Sequence, residues 1–206
     1  METNLQKKAL FPLVIVLISC ANVQYKTSEE YLRYIENQEN GLKISKFYSD
    51  IELTAKFLPA ELKALQELET GYGFEVFDSL LLYYSGSYNF IFTISPTKNN
   101  RIDDLNYYGI YNYDEFVERK KNLNYNFEEC FVLQAGNKEY YPALFHFEQD
   151  YCVSGKLVFH LVFVTSEKTK RFEKITLQFN DPFYNTNQSN FIFKGKSLKK
   201  IPTVKF

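Results

Sequence analysis

The chain has 206 residues, a formal net charge of -1 and a hydrophobic content of 45%. That hydrophobic content is typical of a folded globular protein rather than a disordered one. The 24 basic and 25 acidic residues balance, so the composition argues against the strongly basic face that nucleic-acid binding requires. It predicts a globular protein with no nucleic-acid partner.

The first twenty residues have the pattern of an export signal. Lys7 and Lys8 form a short basic start, residues 9–18 are apolar apart from Pro12, and the run closes with Leu17-Ile18-Ser19-Cys20. A membrane span needs about 20 apolar residues, so this apolar run is too short to be a stable anchor. The pattern predicts a signal segment that is removed.

Leu17-Ile18-Ser19-Cys20 resembles the lipobox of bacterial lipoproteins, with Leu17 at the first position and small Ser19 before the cut. The resemblance implies that residues 1–19 are removed and that Cys20 carries acyl chains as the first residue of the mature protein. Two acyl chains are enough for stable membrane anchoring, whereas one is not. The alternative is an ordinary secretory signal whose cleavage site falls near a cysteine.

The lipoprotein interpretation divides the chain into a signal (1–19), a lipidated tether (20–27) and one globular domain (28–206). It predicts the bacterial cell envelope as the location, with membrane lipid as a partner through Cys20. Ala21-Asn22 lacks an acidic residue after the cysteine, which favours the outer membrane.

The N-terminal half of the mature chain shows helical signals. Thr27 and Glu30 have capping-box spacing and begin a predicted helix that ends at Asn40-Gly41. Further elements are predicted as strands at 42–46 and 51–58, a helix starting at Pro59, an ambiguous segment 74–84, a strand at 87–95 and a helix from Asn112 to about Leu123.

From Cys130 onward the pattern changes to strands. Five are predicted, at residues 131–134, 140–148, 156–165, 172–180 and 190–194. Short connections between successive strands predict an antiparallel meander. Residues 157–164 are apolar on both faces, which predicts a central strand covered on both sides.

Together these elements predict an α+β fold, with N-terminal helices packed on a mostly antiparallel sheet and a sandwich-like C-terminal half. The predicted core residues lie on the C-terminal strands and are Phe145, Phe147, Phe159, Leu161, Phe163, Leu177 and Phe179.

His146 and His160 are the only histidines, and both lie on adjacent predicted strands. If the intervening turn centres on Val153, the two are directly opposite, and Glu148 shares their face. Two histidines and a carboxylate form a candidate zinc set. The alternative, which we favour, is that they are separate polar side chains on a half-buried sheet, because a register shift of one residue moves the pair apart.

Cys130 and Cys152 are the other cysteines. Outside the cytoplasm a disulfide between them is chemically allowed, and both lie near the same end of the predicted meander. Bonding requires Cα atoms within about 7 Å, which the sequence does not fix. Two buried free thiols are the alternative.

The chain contains 20 Phe and 17 Tyr but no Trp. An aromatic surface would suggest sugar binding, yet carbohydrate sites favour Trp. Lysine outnumbers arginine by 20 to 4, a bias typical of A+T-rich coding sequences, which also enriches Phe and Tyr. The aromatic excess is therefore interpreted as core filling and coding bias.

Three further segments resemble lipoproteins of unknown function from Bacteroidetes-type bacteria. They are Tyr31-Leu32 to Asn40-Gly41-Leu42, Phe57-Leu58-Pro59-Ala60-Glu61-Leu62 with Ala64-Leu65, and Gln178-Phe179-Asn180-Asp181-Pro182-Phe183. This resemblance implies an envelope location and carries no functional residue with it.

No catalytic motif or cofactor fingerprint stands out. Gly195-Lys196-Ser197 lacks the first glycine of a phosphate loop, and adjacent carboxylates such as Glu128-Glu129 point apart rather than toward one bond. The sequence therefore predicts no cofactor and a non-catalytic module that binds an envelope partner. The alternative is a small envelope hydrolase that uses carboxylates or a His-bound metal.

Overall fold

The structure is a computed structural model that describes residues 24–25, 27–71, 73–98, 102, 104–148, 155–165 and 172–204. The predicted signal, Cys20 and Cys152 lie outside these residues. No helix in the described part of the chain has both the length and the apolar character needed to cross a membrane.

The described residues contain eleven strands and five α-helices. The strands are β1 (Gln24–Tyr25), β2 (Lys43–Tyr48), β3 (Ile51–Leu58), β4 (Ser87–Pro96), β5 (Phe131–Ala135), β6 (Lys138–Tyr140), β7 (Leu144–Glu148), β8 (Leu157–Val164), β9 (Lys174–Asn180), β10 (Gln188–Lys194) and β11 (Thr203–Val204). The helices are α1 (Ser28–Glu36), α2 (Ala60–Glu69), α3 (Phe77–Tyr84), α4 (Tyr113–Tyr125) and α5 (Gly195–Lys199).

The predicted capping box at the start of α1 is confirmed. The Thr27 hydroxyl accepts from the Glu30 amide, and the Glu30 carboxylate accepts from the Thr27 amide. The helix ends at Glu36, earlier than predicted, because Asn37 takes an extended conformation. A short 3₁₀ turn then leads to Gly41, whose φ of 71° only glycine adopts without cost.

The α+β prediction is confirmed. A five-stranded antiparallel sheet has the order β2-β3-β4-β8-β7, and a four-stranded antiparallel sheet has the order β10-β9-β5-β6. β1, which lies inside the predicted tether, pairs in parallel with β11. The sandwich therefore includes strands from the N-terminal half as well as the C-terminal half.

The two sheets pack through a core of phenylalanine rings. Phe92 of the five-stranded sheet lies 4.7 Å from Phe179 and 5.0 Å from Phe131 of the four-stranded sheet, measured between ring centroids. Ten phenylalanines of the described residues are almost fully inaccessible, so phenylalanine mainly fills the core there. These contacts stabilise the fold mainly because they remove large apolar rings from water.

The predicted meander is confirmed for the antiparallel pairs β5–β6, β7–β8 and β9–β10, but it is wrong between β8 and β9. β8 pairs with β4 and β7, whereas β9 pairs with β5 and β10, so the chain crosses between the sheets after β8. The single strand predicted over 140–148 is also divided, because Pro142 interrupts it. Its first part joins one sheet as β6, and its second part joins the other sheet as β7.

The prediction that both faces of residues 157–164 are covered is wrong as well. Phe159, Leu161 and Phe163 are buried in the core as predicted, but the opposite face of β8 is half-buried or exposed. Phe145 and Phe147, which were predicted as core, are half-buried because β7 is an edge strand. Leu177 and Phe179 are fully buried, as predicted.

Strand directions give the sandwich two distinct ends. One end, the base, contains β1, β11, α1, α2, α3 and α5, with Tyr34 donating its hydroxyl to the Lys200 carbonyl at 3.1 Å. The other end, the apex, contains the Ser49–Asp50 turn, the loop 105–112 before α4 and the loop 181–187. The eight residues of β3 separate the two ends by about 26 Å at roughly 3.3 Å per residue.

Candidate functional site

An exposed aromatic cluster lies at the apex of the sandwich. Tyr111 is 91% exposed and Tyr113 75% exposed, and Tyr107 and Val117 also face solvent. The ring of Tyr107 stacks on the half-buried ring of Phe116 with centroids 4.5 Å apart. We call these five side chains, Tyr107, Tyr111, Tyr113, Phe116 and Val117, the tyrosine surface.

The first turn of α4 positions half of this surface. The Asn112 side chain accepts from the Glu115 amide at 2.9 Å, and the Glu115 carboxylate accepts from the Tyr111 amide at 3.0 Å. These reciprocal bonds satisfy amides that the helix itself leaves unpaired. They fix Tyr111 and Tyr113 on either side of the helix start.

Arg119 of α4 fixes the loop that carries Tyr107. This side chain is only 6% exposed, and its Nη1 donates to the carbonyls of Leu105, Asn106 and Tyr108, with the last bond at 2.6 Å. A buried charge is costly unless it is hydrogen-bonded, so the three carbonyls stabilise it in place. The loop is thus held against α4 from the inside.

A second loop closes over the same arginine. The Arg119 guanidinium lies 5.0 Å from the Phe183 ring and 5.3 Å from the Tyr184 ring, which are cation–π distances. Asp181 orders this loop, because its carboxylate accepts from the amides of Phe183, Tyr184 and Thr186 at 2.7–2.8 Å. Burial raises the pKa of the Tyr184 hydroxyl, so this side chain stays neutral.

Tyr108 joins the loop 105–112 to the turn between β2 and β3 in the five-stranded sheet. Its hydroxyl donates to Asp50 Oδ2 at 3.1 Å, across 58 residues of sequence. Burial and the bond to the Asp50 carboxylate both raise the pKa of Tyr108. The loop beneath the tyrosine surface is therefore hydrogen-bonded to α4 through Arg119 and to the Ser49–Asp50 turn through Tyr108, and the Tyr108 ring lies 6.2 Å from the Tyr184 ring of the loop 181–187.

The histidine register proposed from sequence is present in the structure. His146 and His160 are direct partners on β7 and β8, with ring centroids 5.9 Å apart. Glu148 Oε2 lies 3.1 Å from His160 Nε2, and these side chains are 55% and 39% exposed respectively. However, the described residues contain no group of three or more His, Cys, Asp or Glu side chains that could hold a metal ion.

Cys130 is half-buried just before β5 and forms no disulfide with another described residue. Burial raises its pKa to about 12, and the nearby carboxylates of Asp181 and Glu129 act in the same direction. The thiolate needed for nucleophilic chemistry is therefore disfavoured. Its predicted partner Cys152 lies outside the described residues, so the disulfide stays a prediction, as does lipidation of Cys20.

Sequence reasoning missed the tyrosine surface and Arg119. It attributed the aromatic excess to the core, which holds for phenylalanine, whereas six large exposed side chains in the described residues are tyrosines. The signal was the run Tyr107-Tyr108-Gly109-Ile110-Tyr111-Asn112-Tyr113 beside polar residues. A tyrosine side chain can lie on the surface as well as in the core, because water forms hydrogen bonds with its hydroxyl when it is exposed.

Comparisons with known proteins give no identity. No protein-family model and no curated protein matches the chain. A crystal structure of a protein of unknown function from Burkholderia pseudomallei is similar at a TM-score of 0.36 and 13% sequence identity, covering 85% of this chain and 93% of that one.

Proposed function

We propose that this chain is a lipid-anchored protein of the bacterial cell envelope, held in the outer membrane through Cys20, and that its domain binds another envelope protein without catalysis. The observation that carries the binding role is the tyrosine surface. Tyrosine is enriched among the residues that contribute most to protein–protein binding. Single exposed apolar residues are ordinary. Here the rings of Tyr107 and Tyr113 both contact Phe116, with centroids 4.5 Å and 6.2 Å away, and exposed Tyr111 lies two residues from Tyr113 in the chain. A cluster of this kind indicates a contact surface.

The rigidity of the loop beneath the surface supports this role. Arg119 and the Asp50–Tyr108 bond hold the loop backbone from below while the tyrosine rings face solvent. Tyrosine has few rotatable bonds, so a tyrosine on a fixed backbone loses little conformational entropy on binding. Pre-ordered contact residues increase affinity because less ordering is needed when the partner arrives.

The positions of the two ends support the tethered arrangement. β1 begins four residues after Cys20 and pairs with β11 at the base, whereas the tyrosine surface is at the apex. A lipid anchor at Cys20 leaves the apex pointing away from the membrane, where a partner has access. The signal pattern from Lys7 to Cys20 is the separate support for the anchor itself.

Two measurements test the proposal. Mass spectrometry of the purified protein should give a chain that starts at an acylated Cys20. Affinity capture from solubilised membranes should give a specific envelope protein whose recovery falls at least about tenfold in Tyr111→Ala and Tyr113→Ala, as for residues that contribute more than about 1.4 kcal/mol. Tyr141→Ala is the matched control, since Tyr141 is an exposed tyrosine outside the surface.

Three results would contradict the proposal. An intact leader, or an unmodified mature start elsewhere, would contradict lipid anchoring through Cys20. Equal recovery of the partner with the Tyr111, Tyr113 and Tyr141 variants would show that the tyrosine surface is not the contact. Turnover of a glycan or peptide by the pure protein, with no partner captured, would indicate an envelope hydrolase instead of a binding module.

A further inference from the structure

The base of the sandwich carries a cluster of exposed lysines. Lys194, Lys196, Lys199 and Lys200 lie on and beside α5, and Lys174 lies opposite Lys194 in the β9–β10 register. We call these five side chains the lysine cluster. None of them forms an ion pair with another side chain in the part of the chain that the structure describes.

The Lys174–Lys194 pair is unfavourable for the fold by itself. Like charges directly opposite each other on neighbouring antiparallel strands repel and destabilise the sheet. Glu173 is beside Lys174 in the chain, and Glu39 lines the same open cleft as Lys194 and Lys196. In that cleft Lys43 is paired with Glu36, so Lys194 and Lys196 face the single carboxylate of Glu39, an excess of positive charge that an anionic ligand would offset.

The lysine cluster lies close to the start of the chain's tether. Lys200 is three residues before β11, and β11 pairs with β1, which starts four residues after Cys20. At no more than about 3.6 Å per residue, Cys20 is within about 14 Å of β1, and Lys200 is within about 11 Å of β11. An acyl chain on Cys20 therefore keeps the lysine cluster near the lipid surface.

We propose that the lysine cluster docks the base of the domain onto anionic phospholipid headgroups beside the Cys20 anchor. This inference rests on the proposed lipid anchoring. Each lysine near an anionic leaflet contributes about 1 kcal/mol, so the cluster fixes the orientation of a domain that the acyl chains only tether. Docking through the base keeps the tyrosine surface directed away from the membrane.

The test uses the acylated full-length mature protein in two kinds of vesicle, one containing phosphatidylglycerol and one of phosphatidylcholine alone. An amine-reactive reagent is applied, and labelling of each lysine is followed by peptide mass spectrometry. Lys196 and Lys199 should react about fivefold more slowly in the anionic vesicles, the factor that corresponds to about 1 kcal/mol per lysine. High salt should restore their reactivity, since the screening length falls to about 3 Å at about 1 M.

Lys98 and Lys121 are the matched controls, because both are exposed and lie toward the apex. Their labelling should not depend on the lipid. In a Lys196→Gln, Lys199→Gln variant the remaining lysines of the cluster should lose their protection, whereas a Lys98→Gln, Lys121→Gln variant should keep it.

Equal labelling in both vesicles, from protein that stays bound to them, overturns the docking proposal and leaves the lipid anchor standing. Protein that fails to remain in either vesicle indicates instead that the anchor itself is absent. Protection that appears in intact envelopes but not in phosphatidylglycerol vesicles also overturns the proposal, in favour of an anionic macromolecule as the ligand.

Discussion

The Arg119 guanidinium lies 5.0 Å from the Phe183 ring and is almost fully buried beneath it. This contact joins α4 to the loop 181–187, and the bonds from Arg119 to three carbonyls join α4 to the loop 105–110. One side chain thus organises both loops at the apex.

Replacing Arg119 with lysine should loosen the apex. Lysine lacks the planar guanidinium that here lies against the Phe183 ring while its Nη1 donates to three carbonyls. We expect a loss of about 1–3 kcal/mol in the free energy of unfolding. Hydrogen exchange of the amides in residues 105–110 should rise more than exchange in β3, whose amides open only on global unfolding. A rise in the loop no larger than the rise in β3 would show that Arg119 does not hold that loop.

Phe159→Ala tests the core between the two sheets. Phe159 is fully buried and lies 4.8 Å from Phe127 and 5.0 Å from Phe147. Truncation should reduce the free energy of unfolding by about 3–5 kcal/mol, as measured by chemical denaturation. Phe47→Ala is the control, since Phe47 is 68% exposed and its removal should change stability by less than about 0.5 kcal/mol. Similar losses in the free energy of unfolding for both variants would mean that the buried and exposed faces of these strands are misassigned.

Glu36 should make stability depend on acidic pH. Burial on its own raises the pKa of this carboxyl, but hydrogen bonds and charge from Lys43 and Lys56 outweigh it, so the folded pKa is lowered. The stabilisation is therefore fully present above the unfolded pKa of about 4.5 and is lost as pH falls through the folded pKa.

Because Glu36 is partly exposed, the free energy of unfolding of the wild-type protein should be only about 0.2–1 kcal/mol higher than that of Glu36→Gln at neutral pH. Urea unfolding at a series of pH values measures this difference, which should shrink below pH 4.5. Glu29→Gln, which removes an exposed i,i+4 pair with Arg33, gives the comparison for a helix-surface ion pair. A difference that grows on acidification would contradict the lowered pKa.

Cys130 should react slowly with alkylating reagents in the native protein. With its pKa raised to about 12, little thiolate exists near pH 8. Peptide mapping after iodoacetamide treatment should find Cys130 unmodified in the folded state and modified in denaturant. If denatured but unreduced protein also stays unmodified, Cys130 is bonded to Cys152, and the disulfide prediction is confirmed instead.

The His146–His160 pair should not bind zinc stoichiometrically. The two rings face each other across β7 and β8, but the third ligand, Glu148, is already bonded to His160. A zinc site needs three or four converging ligands. Metal analysis of protein purified without chelators tests this; one equivalent of zinc, lost in both His146→Ala and His160→Ala, would reverse the interpretation.

Most of the longer strands could be predicted from the sequence because alternation and turn residues are local signals, whereas β1, β11 and the division of residues 140–148 were not predicted. Which strands pair with each other was harder to predict. Phe131 lies opposite Phe179 although 48 residues separate them, and nothing in either segment encodes that choice. Only 14 residues separate His146 and His160, so the sequence offered their pairing as one possible register without fixing it. In contrast, β5 and β9 both bury aromatic rings against Phe92, a contact that no local signal indicates.

The candidate site was less predictable than the fold for a related reason. Arg119 resembles any charged residue on a polar helix until the loops 105–110 and 181–187 close over it. Exposed and buried tyrosines also look alike in sequence, because the side chain suits both environments. The predicted candidates were the residues with distinctive chemistry, histidine and cysteine, whereas the surface is made of common residues brought together by tertiary structure.

Lys46 opposes the association of one copy of the protein with another through the edge strand β2. It lies on the edge strand β2 yet points inward, with Nζ 5.7 Å from the centre of the Phe191 ring on the opposite edge strand, β10. Beside it the Tyr48 hydroxyl is hydrogen-bonded to Ser189 across the same gap. An inward charge on an edge strand penalises the addition of a foreign strand. Copies of this protein at high concentration would therefore resist stacking into fibrils through this edge.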